Sequence, residues 1–252
     1  MEASDIERVL ERVKGELVGR CVRCGGVGFV GGEVCGCMLE YRIWNRLLGR
    51  GFSEEFLRLS FDEVLQNIQL DEAGRNVVSW FISNFEKVYE RGLSLYIHGK
   101  GVGVGKTSLA VVLVKEYLRW ALHKDYKWDA CGVYSDIESF LDRYIARERG
   151  EVDESWDAMV FVLDEFGREV KVDKGKDWLI RGVERFLRYR LYNRKSTIIV
   201  SNLSPGELFS AYGEIICSLI GVVGGVVSGI AYKDVLVKGV DLRRSFSRWE
   251  DR

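Results

Sequence analysis

The chain has 252 residues, of which 47% are hydrophobic and 30% are charged, with 37 lysines and arginines against 38 acidic residues. This apolar, charge-balanced composition excludes a disordered chain, and six cysteines are too few for a disulfide scaffold of this length. Residues 1–20 carry charges throughout and contain no apolar signal-peptide region. We therefore expect a folded, cytoplasmic protein of one large domain, or of one domain with a small appendage.

Two helical patterns organise the N-terminal part of the chain. Apolar residues at spacings of three and four across residues 6–17 predict an amphipathic helix, and a second helical run covers residues 38–48. Glycines on either side of Arg50 end the second run. We therefore predict an N-terminal helical segment of residues 1–51 ahead of a larger domain of residues 52–252.

Four cysteines lie in the glycine-rich stretch between these two helical runs. They are Cys21, Cys24, Cys35 and Cys37, with two, ten and one residues between successive members. Four thiolates on two tight loops satisfy tetrahedral Zn²⁺, and the metal would order a stretch too small to have its own core. The spacing of the last pair is tighter than usual, so a site with three ligands or a strained site stays open, as does a reduced, metal-free loop. Cys131 and Cys217 lie in apolar surroundings and are expected to be core residues.

From residue 52 onwards, short apolar runs alternate with helical patterns. The predicted strands cover residues 93–97, 132–134, 159–163 and 197–200, and the predicted helices cover residues 71–90, 107–122, 136–148 and 177–192. Strands separated by helices of this length indicate a parallel sheet with helices on both faces, which is a three-layer α/β fold.

One uncharged segment is long enough to raise the question of a membrane span. Residues 215–232 have no formal charge, but four glycines and two serines dilute the segment, and Glu214 and Lys233 flank it. A helix, a turn at Gly224 and a buried strand are therefore expected instead of a membrane helix.

A glycine-rich sequence follows the predicted strand of residues 93–97 and begins the next helix, as a phosphate-binding loop does. Backbone N–H groups of such a loop converge on phosphate oxygens, Lys106 would reach the β- and γ-phosphates, and the Thr107 hydroxyl would bind Mg²⁺. The strict motif would begin at Lys100, so the loop is one residue longer if Gly99 opens it. A flexible turn with a solvated lysine is the alternative. The predicted nucleotide-binding residues are Gly99, Gly101, Gly103, Val104, Gly105, Lys106, Thr107, Ser108 and, from a later strand, Asp164.

Polar residues follow two further predicted strands. Asp164 and Glu165 end the run that begins at Met159, where Asp164 would hold Mg²⁺ and Glu165 would orient and deprotonate the attacking water. A strand that ends in a solvated turn is the alternative. Asn202 ends another strand and would lie beside the γ-phosphate, unless it is a cap or turn residue. Asp136 also ends a strand, but it is expected to cap the following helix.

The motifs GVGVGKT, FVLDEFG, TIIVSN and GVDLR, in this order, resemble the helicase-loader branch of the AAA+ P-loop ATPases, the DnaC, DnaI and IstB family. The sequence between the motifs supports this resemblance, since residues 58–62, 189–193 and 201–204 are also similar to the family. The similarity runs from about residue 20 to the C-terminus. It implies a three-layer AAA+ core that binds ATP and Mg²⁺.

The resemblance also implies roles for individual residues. Lys106 and Thr107 match the Walker A pair, and Asp164 and Glu165 match the Walker B pair. Asn202 matches sensor 1, and Arg243 matches the sensor 2 arginine, with Arg244 as the alternative. The catalytic residues implied are therefore Lys106, Glu165, Asn202 and Arg243.

One departure from the family concerns its arginine finger. Family members carry arginines in a helix that reaches the ATP of the neighbouring subunit, whereas this chain has Ile215 and Leu219 at those places. Because such a finger contributes about 10³ to 10⁵ in rate, we predict slow hydrolysis or a finger from another arginine or a partner protein.

A basic cluster with interleaved tyrosines lies in the predicted helix of residues 177–192 and just after it. Guanidinium groups beside aromatic rings suit single-stranded DNA, through phosphate neutralisation and base stacking. A solvated basic helix face is the ordinary alternative. The predicted DNA contacts are Arg185, Arg188, Arg190 and Arg194.

Together these features predict an ATPase that acts in DNA replication. The resemblance implies that it recruits or loads a replicative helicase, that its N-terminal segment binds that helicase, and that it could form a homo-oligomer on DNA. The alternatives are an IstB-like transposition helper, a DnaA-like initiator, or a nucleotide-gated adaptor that hydrolyses little ATP.

Overall fold

A computed structural model describes residues 3–124, 131–168, 176–223, 226–227 and 232–238. The helices are α1 (Ala3–Lys14), α2 (Gly36–Leu47), α3 (Glu54–Arg58), α4 (Phe61–Asn67), α5 (Glu72–Ser83), α6 (Phe85–Arg91), α7 (Lys106–His123), α8 (Ile137–Glu148), α9 (Lys176–Tyr192) and α10 (Pro205–Ile220). The strands are β1 (Phe29–Val30), β2 (Glu33–Val34), β3 (Gln69–Leu70), β4 (Ser94–His98), β5 (Gly132–Asp136), β6 (Val160–Phe166), β7 (Ser196–Ser201), β8 (Val222–Val223), β9 (Val226–Val227) and β10 (Tyr232–Lys238). A π-helical turn, Gly15–Gly19, extends α1.

Six strands form the central sheet, in the order β3-β10-β4-β7-β6-β5. All neighbouring pairs are parallel except β10 and β3, which are antiparallel. The carboxyl ends of β4, β6 and β7 therefore meet at one edge of the sheet, which is where open α/β sheets bind ligands. The predicted parallel sheet is confirmed.

The alternation of side chains along the strands divides the core into two layers. On β4, Leu95 and Ile97 pack into a core with α7, whereas Tyr96 faces the opposite core with α8, α9 and α10. On β6, Val162 packs into the core with α7, and Phe161 packs into the opposite core. Because successive residues of a strand point to opposite faces, a strand that is apolar throughout must be covered on both sides. The predicted three-layer α/β architecture is thus confirmed.

The four strands predicted from apolar runs are confirmed as β4, β5, β6 and β7. The long helix predicted over residues 71–90 is two helices, because the backbone leaves the helical region at Asn84. Asp136 caps α8 as expected, since its carboxylate accepts a hydrogen bond of 2.8 Å from the Ser139 backbone N–H. The edge strand β3 was not predicted.

The uncharged segment near the C-terminus begins with the expected helix and ends where a strand begins, whereas the turn expected at Gly224 lies outside the described residues. Helix α10 ends at Ile220, Gly221 follows in the left-handed conformation, and β10 begins at Tyr232. Among the described residues, every helix is too short or too polar to cross a membrane.

The N-terminal helices pack on the α/β core. Ile43, Trp44 and Leu47 of α2 belong to the same buried cluster as α7. Glu40 of α2 also forms an ion pair of 3.0 Å with the buried Lys115 of α7. Helix α2 therefore shares one hydrophobic core with the α/β part of the chain.

Candidate nucleotide-binding site

The phosphate loop connects β4 to α7. Gly99 leaves the strand with a φ of 158°, and a Cβ atom there would lie 2.0 Å from the Val237 carbonyl oxygen, so only glycine fits beside β10. Gly105 has a φ of 94° and is the residue before α7. The loop therefore opens at Gly99, which makes it one residue longer than the strict motif. Its backbone ends at a helix N-terminus, where N–H groups and the helix dipole favour an anion.

Lys106 is the first residue of α7 and is 9% exposed. Its Nζ atom donates a hydrogen bond of 2.8 Å to the Gly101 carbonyl oxygen, so the side chain folds back over the phosphate loop. Burial lowers the pKa of Lys106, and the charge of Asp164 partly opposes this effect. A buried ammonium group beside a loop of N–H donors is well suited to a phosphate, which would compensate its charge.

Asp164 is buried at the carboxyl end of β6 and accepts three hydrogen bonds. Its Oδ2 atom accepts from the Thr107 hydroxyl at 2.7 Å and from the Tyr134 hydroxyl at 2.8 Å, and its Oδ1 atom accepts from the Glu165 backbone N–H at 2.7 Å. Burial raises the pKa of Asp164, although these hydrogen bonds act in the opposite direction. The structure thus brings together the two oxygen groups, Thr107 and Asp164, that suit Mg²⁺.

Glu165 has a strained backbone and a side chain paired with Arg168. Its φ of 56° is uncommon for a residue other than glycine, and such conformations cluster at functional sites. Arg168 donates a hydrogen bond of 2.5 Å to its carboxylate and also lies 3.5 Å from Glu138. Asn202 follows β7 and is exposed at the same sheet edge. Arg243 and Arg244 lie outside the described residues.

Two residues at this site were not singled out from the sequence. Tyr134 contacts Asp164 from the neighbouring strand β5, and Arg168 contacts Glu165 from the following turn. Tyr134 could have been identified from the sequence, because it lies two residues before Asp136 in a predicted strand that ends at the ligand-binding edge of the sheet. Arg168 had only its closeness to Glu165 in sequence.

The four predicted cysteine ligands converge. The sulfur atoms of Cys21, Cys24, Cys35 and Cys37 all lie within 4.8 Å of one another. The distance is 3.9 Å between the sulfurs of Cys21 and Cys35 and 3.5 Å between those of Cys24 and Cys37. Tetrahedral zinc with Zn–S bonds of about 2.3 Å places its sulfur ligands about 3.8 Å apart. The donor type and spacing therefore fit zinc.

The backbone around the cysteines explains this convergence. Strands β1 and β2 form a hairpin whose two-residue turn, Gly31 and Gly32, has positive φ at both positions, as a type I′ turn requires. The hairpin returns the chain beside its start, and Cys37 lies in the first turn of α2. The backbone N–H of Cys24 is the main group that lowers the pKa of Cys21, to about 7, which favours a thiolate.

Three of the four arginines predicted to contact DNA are accessible. Arg185 and Arg188 of α9 form ion pairs with Glu148 and Glu184 at 2.7 and 2.8 Å, and Arg194 follows the helix with an exposed side chain. Arg190 contradicts the prediction, because it is 0% exposed. Its guanidinium donates to buried carbonyl groups, so it cannot contact DNA.

A groove of about 620 Å³ runs between α8 and α9. It is lined by Tyr144, Ile145, Glu148, Arg149, Trp178, Arg181 and Arg185. Trp178 is 39% exposed, so an indole ring faces solvent beside arginine side chains.

The fold can be compared with known structures. No protein-family model matches the sequence, and a search of curated proteins gives no match. The structure is similar to a crystal structure of the DnaC helicase loader, with a TM-score of 0.56 and 23% identity over 74% of this chain and 100% of that chain. It is also similar to a crystal structure of DnaI, with a TM-score of 0.53 and 21% identity over 80% of this chain and 100% of that chain. The chain therefore has the AAA+ fold, as the resemblance to the helicase-loader branch implied.

Proposed function

We propose that this chain is a MgATP-dependent DNA-replication protein that recruits or loads a replicative helicase on single-stranded DNA. The observation that carries the proposal is the contact of 2.7 Å between Thr107 and Asp164, beside a phosphate loop in a DnaC-like fold. This contact joins the Walker A helix to the Walker B strand and forms the oxygen cluster that a nucleotide-bound Mg²⁺ requires.

The site residues have separate tasks in this proposal. Lys106 would exchange the Gly101 carbonyl for the phosphates, and Thr107 with Asp164 would hold Mg²⁺, which neutralises charge on the transferred phosphate. Glu165 would orient the attacking water and accept its proton. Asn202 would contact the γ-phosphate.

Slow hydrolysis is part of the proposal. Arg168 forms an ion pair with the Glu165 carboxylate, so this carboxylate cannot orient the attacking water until the ion pair opens. At the finger positions, Ile215 is 51% exposed and Leu219 packs partly against the core. These side chains carry no positive charge that could stabilise the phosphate of a neighbouring subunit. A nucleotide-gated adaptor is therefore the second candidate.

Turnover separates these two candidates. A loader that uses hydrolysis should turn over ATP faster when single-stranded DNA is added, whereas an adaptor should bind MgATP with the same low turnover in both conditions. The measurement is phosphate release by the full chain at saturating MgATP, with and without the DNA.

Single-stranded DNA is proposed to lie along α9 and the adjoining groove. Arg185 and Arg188 would neutralise phosphates, and Trp178 would stack on a base. Replacing both arginines by alanine should weaken binding. It should also reduce the slope of log Kd against log salt concentration by about 1.4, since each phosphate contact with single-stranded DNA contributes about 0.7. Arg91→Ala, on the opposite face of the sheet, is the matched control. An unchanged salt slope in the double variant contradicts this placement.

The helicase is proposed to bind the cysteine-containing tip of the N-terminal segment. Val22, Val27 and Phe29 are 99%, 66% and 45% exposed there. Exposed apolar side chains on a loop fixed by a metal offer a rigid docking surface. Replacing Val22 and Val27 by serine in the full chain should abolish its complex with the purified replicative helicase of the same organism, in size-exclusion chromatography. Val152→Ser, at a valine 89% exposed elsewhere, should leave the complex intact.

A further inference from the structure

Tyr134 lies between the Walker B aspartate and the N-terminal segment. Its side-chain hydroxyl donates a hydrogen bond of 2.8 Å to Oδ2 of Asp164. Its backbone N–H donates a hydrogen bond of 2.9 Å to the carbonyl oxygen of Arg50. One residue of β5 therefore touches both the proposed magnesium site and the segment of residues 50–56 that follows α2, which we call the junction.

At the aspartate, the Tyr134 hydroxyl is one of three donors that hold the carboxylate. Thr107 and Tyr134 both donate to Oδ2, while the Glu165 backbone N–H donates to Oδ1. With donors on both oxygens, the plane of the carboxylate is held in one orientation. Hydrogen bonds to a charged group are stronger than those between neutral groups, so the loss of one of three donors matters.

At the junction, the backbone and ring of Tyr134 are held firmly. A Cβ atom on Gly51 would lie 1.9 Å from the Tyr134 carbonyl oxygen, which shows how closely the two backbones approach. The Tyr134 ring packs against Phe52 and Phe56, with centroid distances of 5.8 and 6.1 Å. This junction continues directly from α2, whose first turn contains Cys37, so the N-terminal segment is connected to the residues that contact Tyr134.

We propose that Tyr134 is a positioning residue for Asp164, through which the N-terminal segment sets the affinity of the site for Mg²⁺. When the junction holds the ring, the hydroxyl fixes the carboxylate for the metal. When a partner shifts the junction, the hydroxyl withdraws and the metal is held less tightly. This inference rests on the proposed MgATP site.

The first test is Tyr134→Phe in the full chain, which keeps the ring and removes the hydroxyl. Binding of a fluorescent ATP analogue is followed while Mg²⁺ is titrated. The Mg²⁺ concentration that gives the half-maximal change in binding of the analogue should rise about tenfold, as expected for the loss of one hydrogen bond to a charged group. Affinity for the analogue in EDTA should stay unchanged, because the phosphate loop is intact. Tyr89→Phe on α6 is the control and should leave both values unchanged.

The second test asks whether the junction acts through Tyr134. Phe56→Leu removes a ring that supports Tyr134 and should raise the Mg²⁺ requirement about threefold. In the double variant with Tyr134→Phe, the requirement should equal that of Tyr134→Phe alone, because there is no hydroxyl left to misplace. Effects that multiply in the double variant would overturn the coupling, provided that thermal unfolding shows both single variants to be folded.

The outcomes distinguish this inference from the proposed function. If the wild-type chain binds no nucleotide, the proposed function fails. If the wild-type chain binds MgATP and Tyr134→Phe has the same Mg²⁺ requirement, the function stands and the role of Tyr134 is refuted.

Discussion

The buried guanidinium of Arg190 gives a sharp test of how α9 divides its arginines between structure and DNA binding. It donates hydrogen bonds to the carbonyl oxygens of Trp156, Ala158, Met159 and Ser196 and to the Thr197 hydroxyl. Burial lowers its pKa to about 9, so it remains protonated at neutral pH. It joins the end of α9 to the starts of β6 and β7.

Arg190→Met keeps most of the aliphatic stem and removes every donor. Four carbonyl oxygens then lose a charged donor at about 1 kcal/mol each, which gives a loss of about 4 kcal/mol in the free energy of unfolding. Removing one partner of a buried salt bridge costs about 3 to 5 kcal/mol, which is in agreement with this sum. For a chain of this size, about 2 to 4 °C per kcal/mol converts the loss to a fall in Tm of about 8 to 16 °C.

Differential scanning calorimetry of Arg190→Met measures this effect, and Arg188→Met is the matched control on the same helix. The Arg188 side chain is 58% exposed, so its replacement should change the free energy of unfolding by less than about 0.5 kcal/mol. Below its Tm, Arg190→Met should bind single-stranded DNA as the wild-type chain does, whereas Arg188→Met should bind it more weakly. A Tm of Arg190→Met within about 2 °C of wild type would refute the structural role.

Three further predictions follow from local geometry. Cys37→Ser should reduce the zinc content from one ion per chain to none in elemental analysis, while Cys131→Ser should leave it unchanged; zinc retained by Cys37→Ser contradicts the four-ligand site. The pKa of Glu207 is lowered from 4.5 to about 2, mainly by a hydrogen bond from the Ser204 backbone N–H and then by hydrogen bonds from the Ser204 hydroxyl and Lys100. Its stabilising effect is therefore complete above about pH 4.5 and is lost as the pH falls through 2. Glu207→Gln should flatten the Tm–pH curve in this window, and an unchanged curve rules the effect out. Gly51→Ala should lower the free energy of unfolding by more than about 1 kcal/mol in urea titrations, because φ is positive and the Tyr134 carbonyl blocks the methyl group. Gly150→Ala has a similar positive φ but open space around the added methyl group, so an equal loss there would show that the contact has no effect.

The phosphate loop and the strand ends were predictable because their signals are local. An apolar run, a glycine-rich turn and Lys106 lie next to one another in sequence, and parallel strands necessarily bring Asp164 to the same edge. The convergence of the four cysteines was predictable for a similar reason, since two tight loops were available to close the cluster.

Other features depend on contacts between distant parts of the chain. Arg190 belongs to a basic run, and only the packing of α9 against the starts of β6 and β7 shows that its side chain points inward. The edge strand β3 has two residues and is defined by its pairing with β10, more than a hundred residues later. The contact of Gly51 with Tyr134 likewise exists only after α2 has packed on α7. Sequence periodicity reports which face is apolar, but it does not report which partner covers that face.

Titration calorimetry of MgATP into the full chain tests the central claim most directly, with Lys106→Ala as the comparison. We predict that the wild-type chain binds one nucleotide, and that Lys106→Ala binds it at least about 100-fold more weakly, because a charged contact to phosphate of about 3 kcal/mol is lost. Both proteins should unfold cooperatively without nucleotide, which shows that Lys106→Ala is folded. Absence of binding by the wild-type chain, or equal affinity of the two proteins, would contradict the assignment of this site.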